Sequence, residues 1–270
     1  MLLLKGCEGM NEDSVLLSVA EDRMLKCIND YVVTFTSFLD IHQQSVLNAE
    51  LSIVDDINVL FYGGFDTAER NILVFLPDFL GLTDYDSLEN YFRENRDDNP
   101  LVVLRLKKDN FSSVTHRDYL GALMGLGIKR EMVGDIIVNE NGADIIVIRT
   151  IASFIKNELK SVGRASVTIS EIDFSELADN INNVREDVIN VSSARIDNVI
   201  SACFRLSRSE SANAIASGSV YVNSVQILKA DKKVNIGDKI VYRTKGKVVL
   251  KEISGVSKKG RNFLKIDVYQ

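Results

Sequence analysis

Apolar positions recur at helical spacing near the start of the chain. Val15, Leu16 and Val19, followed a turn later by Met24, Leu25 and Ile28, predict a first helix, and a second is expected over residues 43–53. The pattern then switches to strands. Residues 58–62 and 71–76 read as two strands joined by Gly63-Gly64-Phe65-Asp66, with Pro77 ending the second. Two glycines before an acid could suggest a phosphate loop, but a strand follows them and no Lys-Ser/Thr is present, so a hairpin turn is the reading. Residues 83–100 are polar and acidic, and Arg96-Asp97-Asp98-Asn99-Pro100 marks a boundary.

The middle of the chain has a regular order. A strand is predicted over residues 101–106, a helix over 116–126, and strands over 135–139 and 144–149 split by the hairpin pair Asn141-Gly142. A helix over 151–159 and a strand over 166–172 complete β-α-β-β-α-β, the topology of ferredoxin-like folds and of RNA-recognition motifs. Such motifs stack bases on aromatic residues of the central strands. Here those strands read Asp-Ile-Ile-Val-Asn and Asp-Ile-Ile-Val-Ile-Arg, so packing, positioning or phosphate contact is expected instead of stacking. Thr115-His116-Arg117-Asp118 opens the first helix of this region. Gly121, Gly125 and Gly127 lie inside and just past that helix, where they serve packing and a cap and not a nucleotide loop. His116 has no visible partner and reads as structural.

Beyond residue 190 the elements are short. Ser192 and Ser193 are placed to cap a helix over 195–204, and Ser207-Arg208-Ser209-Glu210 is a capping box for a second helix ending at Gly218. Val220-Tyr221-Val222 alternates as a strand, Ile236-Gly237-Asp238 is a turn, and strands are predicted over 240–242, 248–253 and 263–268. The module is a tight helix–turn–helix feeding a small twisted sheet.

Charge changes the picture. The chain has 270 residues and a net charge of −6, enough length for two or three compact units. Residues 182–270 hold sixteen Lys and Arg against eight Asp and Glu, a net of +8, while the preceding 181 hold sixteen against thirty, a net of −14. A basic C-terminal third on an acidic body suits a polyanion-binding module with a separate carrier. No apolar run approaches the roughly 18 to 20 residues of a membrane span. Met1-Leu2-Leu3-Leu4-Lys5-Gly6-Cys7 is too short an apolar stretch for a secretory or lipoprotein signal. Cys7, Cys27 and Cys203 are scattered and odd in number, which fits reduced thiols of a cytoplasmic protein; no metal set and no cofactor motif is visible.

The cations have a chemistry. Arg195 lies near the start of the first C-terminal helix, and Arg205 and Arg208 flank the turn, where the second helix presents free amides and its positive dipole end. Guanidinium forks bind phosphate oxygens bidentately, and Ser207 and Ser209 can donate beside them. Lys229, Lys232, Lys233, Lys245, Lys247, Lys258, Lys259 and Arg261 are expected in solvated loops that follow a backbone; Asn223 joins them as a candidate. His116, Arg117, Lys129 and Arg130 are secondary RNA-contact candidates. A competing reading pairs Arg195 with Asp197 internally and makes Ser207 only a cap; for Asp197 and Ser207 it is preferred. Few aromatics intersperse the basic positions, so structured RNA read by shape and phosphate is expected.

The strings Arg195-Ile196-Asp197, Arg205-Leu206-Ser207-Arg208-Ser209, Gly218-Ser219-Val220-Tyr221-Val222-Asn223 and Ile236-Gly237-Asp238 closely resemble the S-four RNA-binding domain, named after the fourth small-subunit ribosomal protein. With Thr115-His116-Arg117-Asp118-Tyr119-Leu120-Gly121 and Val256-Ser257-Lys258-Lys259-Gly260-Arg261, the whole chain resembles the bacterial YlmH family. Ala214 stands where the second helix usually has leucine, and Ser224 replaces the usual glycine after the asparagine. The resemblance implies an α+β chain of three domains: a small N-terminal α/β domain (1–95), a ferredoxin-like domain (96–178) and the S-four module (182–270). It implies a non-enzymatic protein binding large-subunit ribosomal RNA and tRNA on the large ribosomal subunit, in rescue of stalled translation, with a cell-division link attached to the family. The alternatives are a scaffold tethered by RNA, and an RNA-modifying enzyme of pseudouridine synthase or methyltransferase type, whose motifs residues 1–181 lack. The oligomeric state is left open.

Overall fold

The computed structural model describes residues 12–109, 113–177, 184–243, 245–257 and 260–269. The chain divides into two compact units, Met1–Asn180 and Ile181–Gln270. Helices and antiparallel sheets are mixed throughout, as in an α+β protein. Residues 1–95 and 96–178, expected as two domains, supply two sheets inside the first unit.

The first sheet has the order β1-β3-β2, from β1 (Thr34–Phe35), β2 (Ile57–Tyr62) and β3 (Ile72–Pro77), with β2 and β3 forming the expected hairpin. Ala20, Met24 and Cys27 of α1 (Glu12–Asp30) and Leu47 of α2 (Ile41–Glu50) pack against Leu73 and Phe75 of β3. Helix α2 starts earlier than expected because Asp40 caps it: its carboxylate accepts from Gln43 N and its own N–H donates to Gln43 Oε1, both at 2.9 Å. Inside the acidic stretch a further helix, α3 (Tyr85–Glu94), buries Leu88 and Phe92 one turn apart behind an Asp84–Ser87 capping box.

The second sheet has the order β5-β6-β4-β8-β7 and every neighbouring pair is antiparallel. Its members are β4 (Leu101–Lys108), β5 (Val133–Asn139), β6 (Gly142–Ile148), β7 (Ser161–Val162) and β8 (Ala165–Ile172), with α4 (His116–Gly125) after β4 and α5 (Arg149–Glu158) after β6. Apart from the two-residue β7, this is the ferredoxin-like order read from the sequence. The Asn141-Gly142 hairpin depends on its glycine, because a Cβ at Gly142 would lie 1.8 Å from the Leu106 carbonyl oxygen. Tyr119 and Leu123 of α4 and Ala152 and Ile155 of α5 cover Val102, Leu104, Ile145 and Val147 on one face. The opposite face is closed as well: Leu101, Val103, Ile146 and Ile148 are at most 4% exposed. Phe38 of the N-terminal half sits over Gly134 of β5, and Tyr62 contacts both Phe174 and the Asn99 side chain.

The second unit is one antiparallel sheet in the order β11-β10-β12-β13-β14-β9, with two helices on one face. Its elements are β9 (Val184–Val191), α6 (Ile196–Phe204), α7 (Arg208–Ala216), β10 (Val220–Val222), β11 (Val225–Gln226), β12 (Lys239–Tyr242), β13 (Gly246–Val256) and β14 (Asn262–Tyr269). Strand β9 was not expected. Its first half, Arg185-Glu186-Asp187, is charged, and among its described side chains only Ile189 and Val191 reach the core as it pairs with β14. Among the described residues no helix is long and apolar enough to cross a membrane.

Candidate nucleic-acid interface

The corner between α6 and α7 is built by three local devices. Arg205 closes α6 in the left-handed conformation, at φ 54° and ψ 46°. This lets Leu206 N donate to Ser201 O at 2.9 Å while Ser201 Oγ donates to Leu206 O at 2.6 Å. Ser207 then caps α7: Glu210 N donates to its hydroxyl at 3.2 Å, and its own N–H donates to Glu210 Oε2 at 2.7 Å. These bonds hold the Glu210 carboxyl below its usual range, helped by the nearby Lys245 ammonium. Ser209 Oγ lies 3.1 Å from the Ser207 hydroxyl.

The guanidinium groups end up in different states. Arg205 and Arg208 are exposed, and among the described residues neither has a carboxylate partner. Arg195 is tied to Asp197 in a fork, with Nη2 donating to Oδ2 at 2.7 Å and Nε donating to Oδ1 at 3.2 Å, so the internal pair is formed. It still borders an open concavity of about 360 Å³, shared with Ser192, Ser193, Asn198, Arg208 and Ser211. Ile196 N donates to Lys232 O at 2.8 Å and Arg195 bridges Lys233, which sets two exposed lysines at the start of α6. Lys229 is exposed in the same loop, and Lys245 in the β12–β13 turn.

Several expected contacts are corrected by their surroundings. Lys247 is not in a solvated loop: it lies in β13, buried, with its ammonium 4.5 Å over the Tyr269 ring. Asn223 forms the β10–β11 turn at φ 51°, and its side chain is committed internally, donating to Asp238 Oδ1 and accepting from Lys239 N at 2.9 Å each. Ser224, the next residue, shares the left-handed conformation at φ 63°. The Ser207 hydroxyl is used by the cap. Arg261 is exposed at the β13–β14 hairpin, while Lys258, Lys259 and Cys7 lie outside the described residues.

The secondary candidates separate in the same way. Arg117 is exposed on the first turn of α4. Lys129 pairs with Glu131 at 3.8 Å. Arg130 turns inward: its Nη1 donates to the carbonyls of Val133 and Gly134, and burial together with the Arg70 charge pushes its pKa down to about 10. The His116 imidazole is held below its ordinary value by burial and by Arg130. Burial raises the thiols of Cys27 and Cys203 to about 11 and about 12, which favours their protonated form.

Residues 95–176, the ferredoxin-like half, match the family described as "Putative RNA-binding domain in YlmH". The chain is 34% identical over 236 residues, covering 86% of this chain and 85% of the relative, to the ribosome-associated protein quality control protein P2 of Bacillus subtilis (strain 168). The chain belongs to the YlmH family. A solved cell division protein YlmH from Streptococcus pneumoniae is 23% identical, with a TM-score of 0.47 over 64% of this chain and 98% of that one. One cation of this YlmH-family chain escaped the sequence reading. Arg243 is exposed in the β12–β13 turn, and its N–H donates to Ser219 O at 3.0 Å, which sets it beside the end of α7. Its position two residues before Lys245 was the available signal.

Proposed function

We propose that the chain is a non-enzymatic RNA-binding protein that holds structured RNA by its phosphates at the α6–α7 corner and works in association with the ribosome. The observation that carries this reading is the pair Arg205 and Arg208, exposed and without a carboxylate partner among the described residues, on either side of the N-terminus of a nine-residue helix. Lys229, Lys232, Lys233, Lys245 and Arg243 extend the cationic surface. Asp197 pairs with Arg195 and Glu210 accepts from Ser207 N, while Asp231 lies exposed in the loop of Lys229, Lys232 and Lys233. Cations outnumber carboxylates at this corner, a set suited to holding phosphate and not to moving protons. The finer reading is large-subunit ribosomal RNA and tRNA during rescue of stalled translation; it is supported by the family and by the quality-control name of the B. subtilis relative.

A salt titration tests the site. Replacing both Arg205 and Arg208 with alanine is expected to weaken binding to structured RNA. The log–log salt slope is expected to become less negative by up to about 0.9 for each phosphate that the protein no longer neutralises. An unchanged affinity and slope would refute it.

A further inference from the structure

The ferredoxin-like half raises its own question. Related folds read RNA on the open face of the sheet, but here that face is closed by the chain itself. Leu101, Val103, Ile146 and Ile148 are buried, and Phe38 of the N-terminal half lies against Gly134 of β5. The polar pair on the same face is internal too: Asp144 is 0% exposed and takes both arms of the Arg105 fork at 2.8 Å. An RNA contact in this half therefore has to lie on a rim.

We propose that the end of the sheet where β4 finishes and the β7–β8 hairpin turns is a second phosphate-contact surface for RNA, formed by Lys107, Lys108, Lys160 and Arg164. The inference rests on the RNA-binding reading above. Strand register brings the four together. Lys107 stands opposite Thr168 and Lys108 opposite Val167; Val167 N donates to Lys160 O at 3.0 Å; Arg164 occupies the turn one residue before β8. Lys107 and Lys108 on β4 thus lie two strand spacings of about 4.8 Å from Lys160 and Arg164, which flank β7, within reach of one backbone. The exposed hydroxyls of Ser161, Ser166 and Thr168 lie among them.

Several other cations of this half are held in ion pairs. Arg96 pairs with Asp173 at 2.7 Å, Lys156 with Glu171 at 3.1 Å, Arg149 with Glu171 at 3.9 Å and Lys129 with Glu131 at 3.8 Å. Lys107, Lys108, Lys160 and Arg164 have no carboxylate partner among the described residues. Asp109 keeps its charge beside Lys108 and accepts from Ser166 N at 3.1 Å, while Glu140 in the β5–β6 turn and Glu158 at the end of α5 form no ion pair with the four cations. Unpaired lysines and arginine beside hydroxyls, with no aromatic side chain in the group, suit phosphate and not base recognition.

The test uses the full chain with Lys107, Lys108, Lys160 and Arg164 all replaced by glutamine, alongside the Arg205→Ala, Arg208→Ala chain and a Lys156→Gln control. Affinity for a tRNA transcript and for a ribosomal RNA stem of unrelated sequence is measured across a KCl series. The glutamine chain is expected to bind both RNAs about tenfold or more weakly, with slopes less negative by up to about 3.6; the control keeps the native values. Native affinity and slope in the glutamine chain, while the Arg205→Ala, Arg208→Ala chain loses binding, would overturn the rim alone. So would a loss confined to one of the two RNAs. A native chain that binds neither RNA overturns the RNA reading and the rim with it.

Discussion

Arg205 carries two roles that can be pulled apart. Its backbone sits in the left-handed region, a conformation that costs a residue with a Cβ roughly 1–2 kcal/mol, while its guanidinium points to solvent. Arg205→Gly removes both the strain and the charge. The variant is therefore expected to be as stable as the native chain or more so, by up to about 1 kcal/mol in chemical denaturation, yet to bind structured RNA as weakly as Arg205→Ala. A glycine variant that is destabilised and binds normally would mean that the side chain serves the fold and not the ligand. Residue identity alone did not separate these uses. Asn223 and Lys247 have the composition of an RNA surface, but one is consumed by the Asp238 turn and the other by an aromatic ring across a strand. A donor's partner is decided by tertiary neighbours that local sequence does not name.

At the scale of elements, helix ends do much of the shaping, and their carboxylates carry a pH signature. Asp84, Asp118 and Glu210 each accept hydrogen bonds at the start of a helix and are held below their ordinary values by those bonds. A carboxyl with a depressed folded pKa adds stability that is fully present above its unfolded value. That stability is lost as pH falls through the folded value. Thermal stability is therefore expected to decline on acidification below the ordinary carboxylate range. Glu210→Gln is expected to lower it at neutral pH and to flatten that decline, which calorimetry at several pH values would detect. The Asn141-Gly142 turn gives a steric counterpart: Gly142→Ala drives a methyl into the Leu106 carbonyl and is expected to cost about 2–4 kcal/mol in urea unfolding. Where apolar period and turn chemistry agreed, elements could be read from sequence, as in β-α-β-β-α-β and the Ser207 capping box. Strand β9 escaped because its charged, solvent-facing residues dilute the period; helix α3 carried its signals, the Asp84–Ser87 box with Leu88 and Phe92 one turn apart, inside a stretch read only as polar and acidic.

For the molecule as a whole, charge is segregated along the chain, with +8 on residues 182–270 and −14 on the remainder. A polyanion approaching such a chain is drawn to one unit and repelled by most of the other, which sets orientation before any contact forms. The proposed rim is a local cluster of cations within the acidic unit, without a carboxylate partner among the described residues. The most direct test of the account is photo-crosslinking of the native full-length chain to structured RNA, with the attached peptides located by mass spectrometry. The account predicts nucleotide adducts on peptides spanning the α6–α7 turn around Arg205–Ser209 and the β12–β13 turn around Arg243 and Lys245. Adducts confined to the acidic N-terminal helices and sheet, with none at the α6–α7 corner, would contradict it.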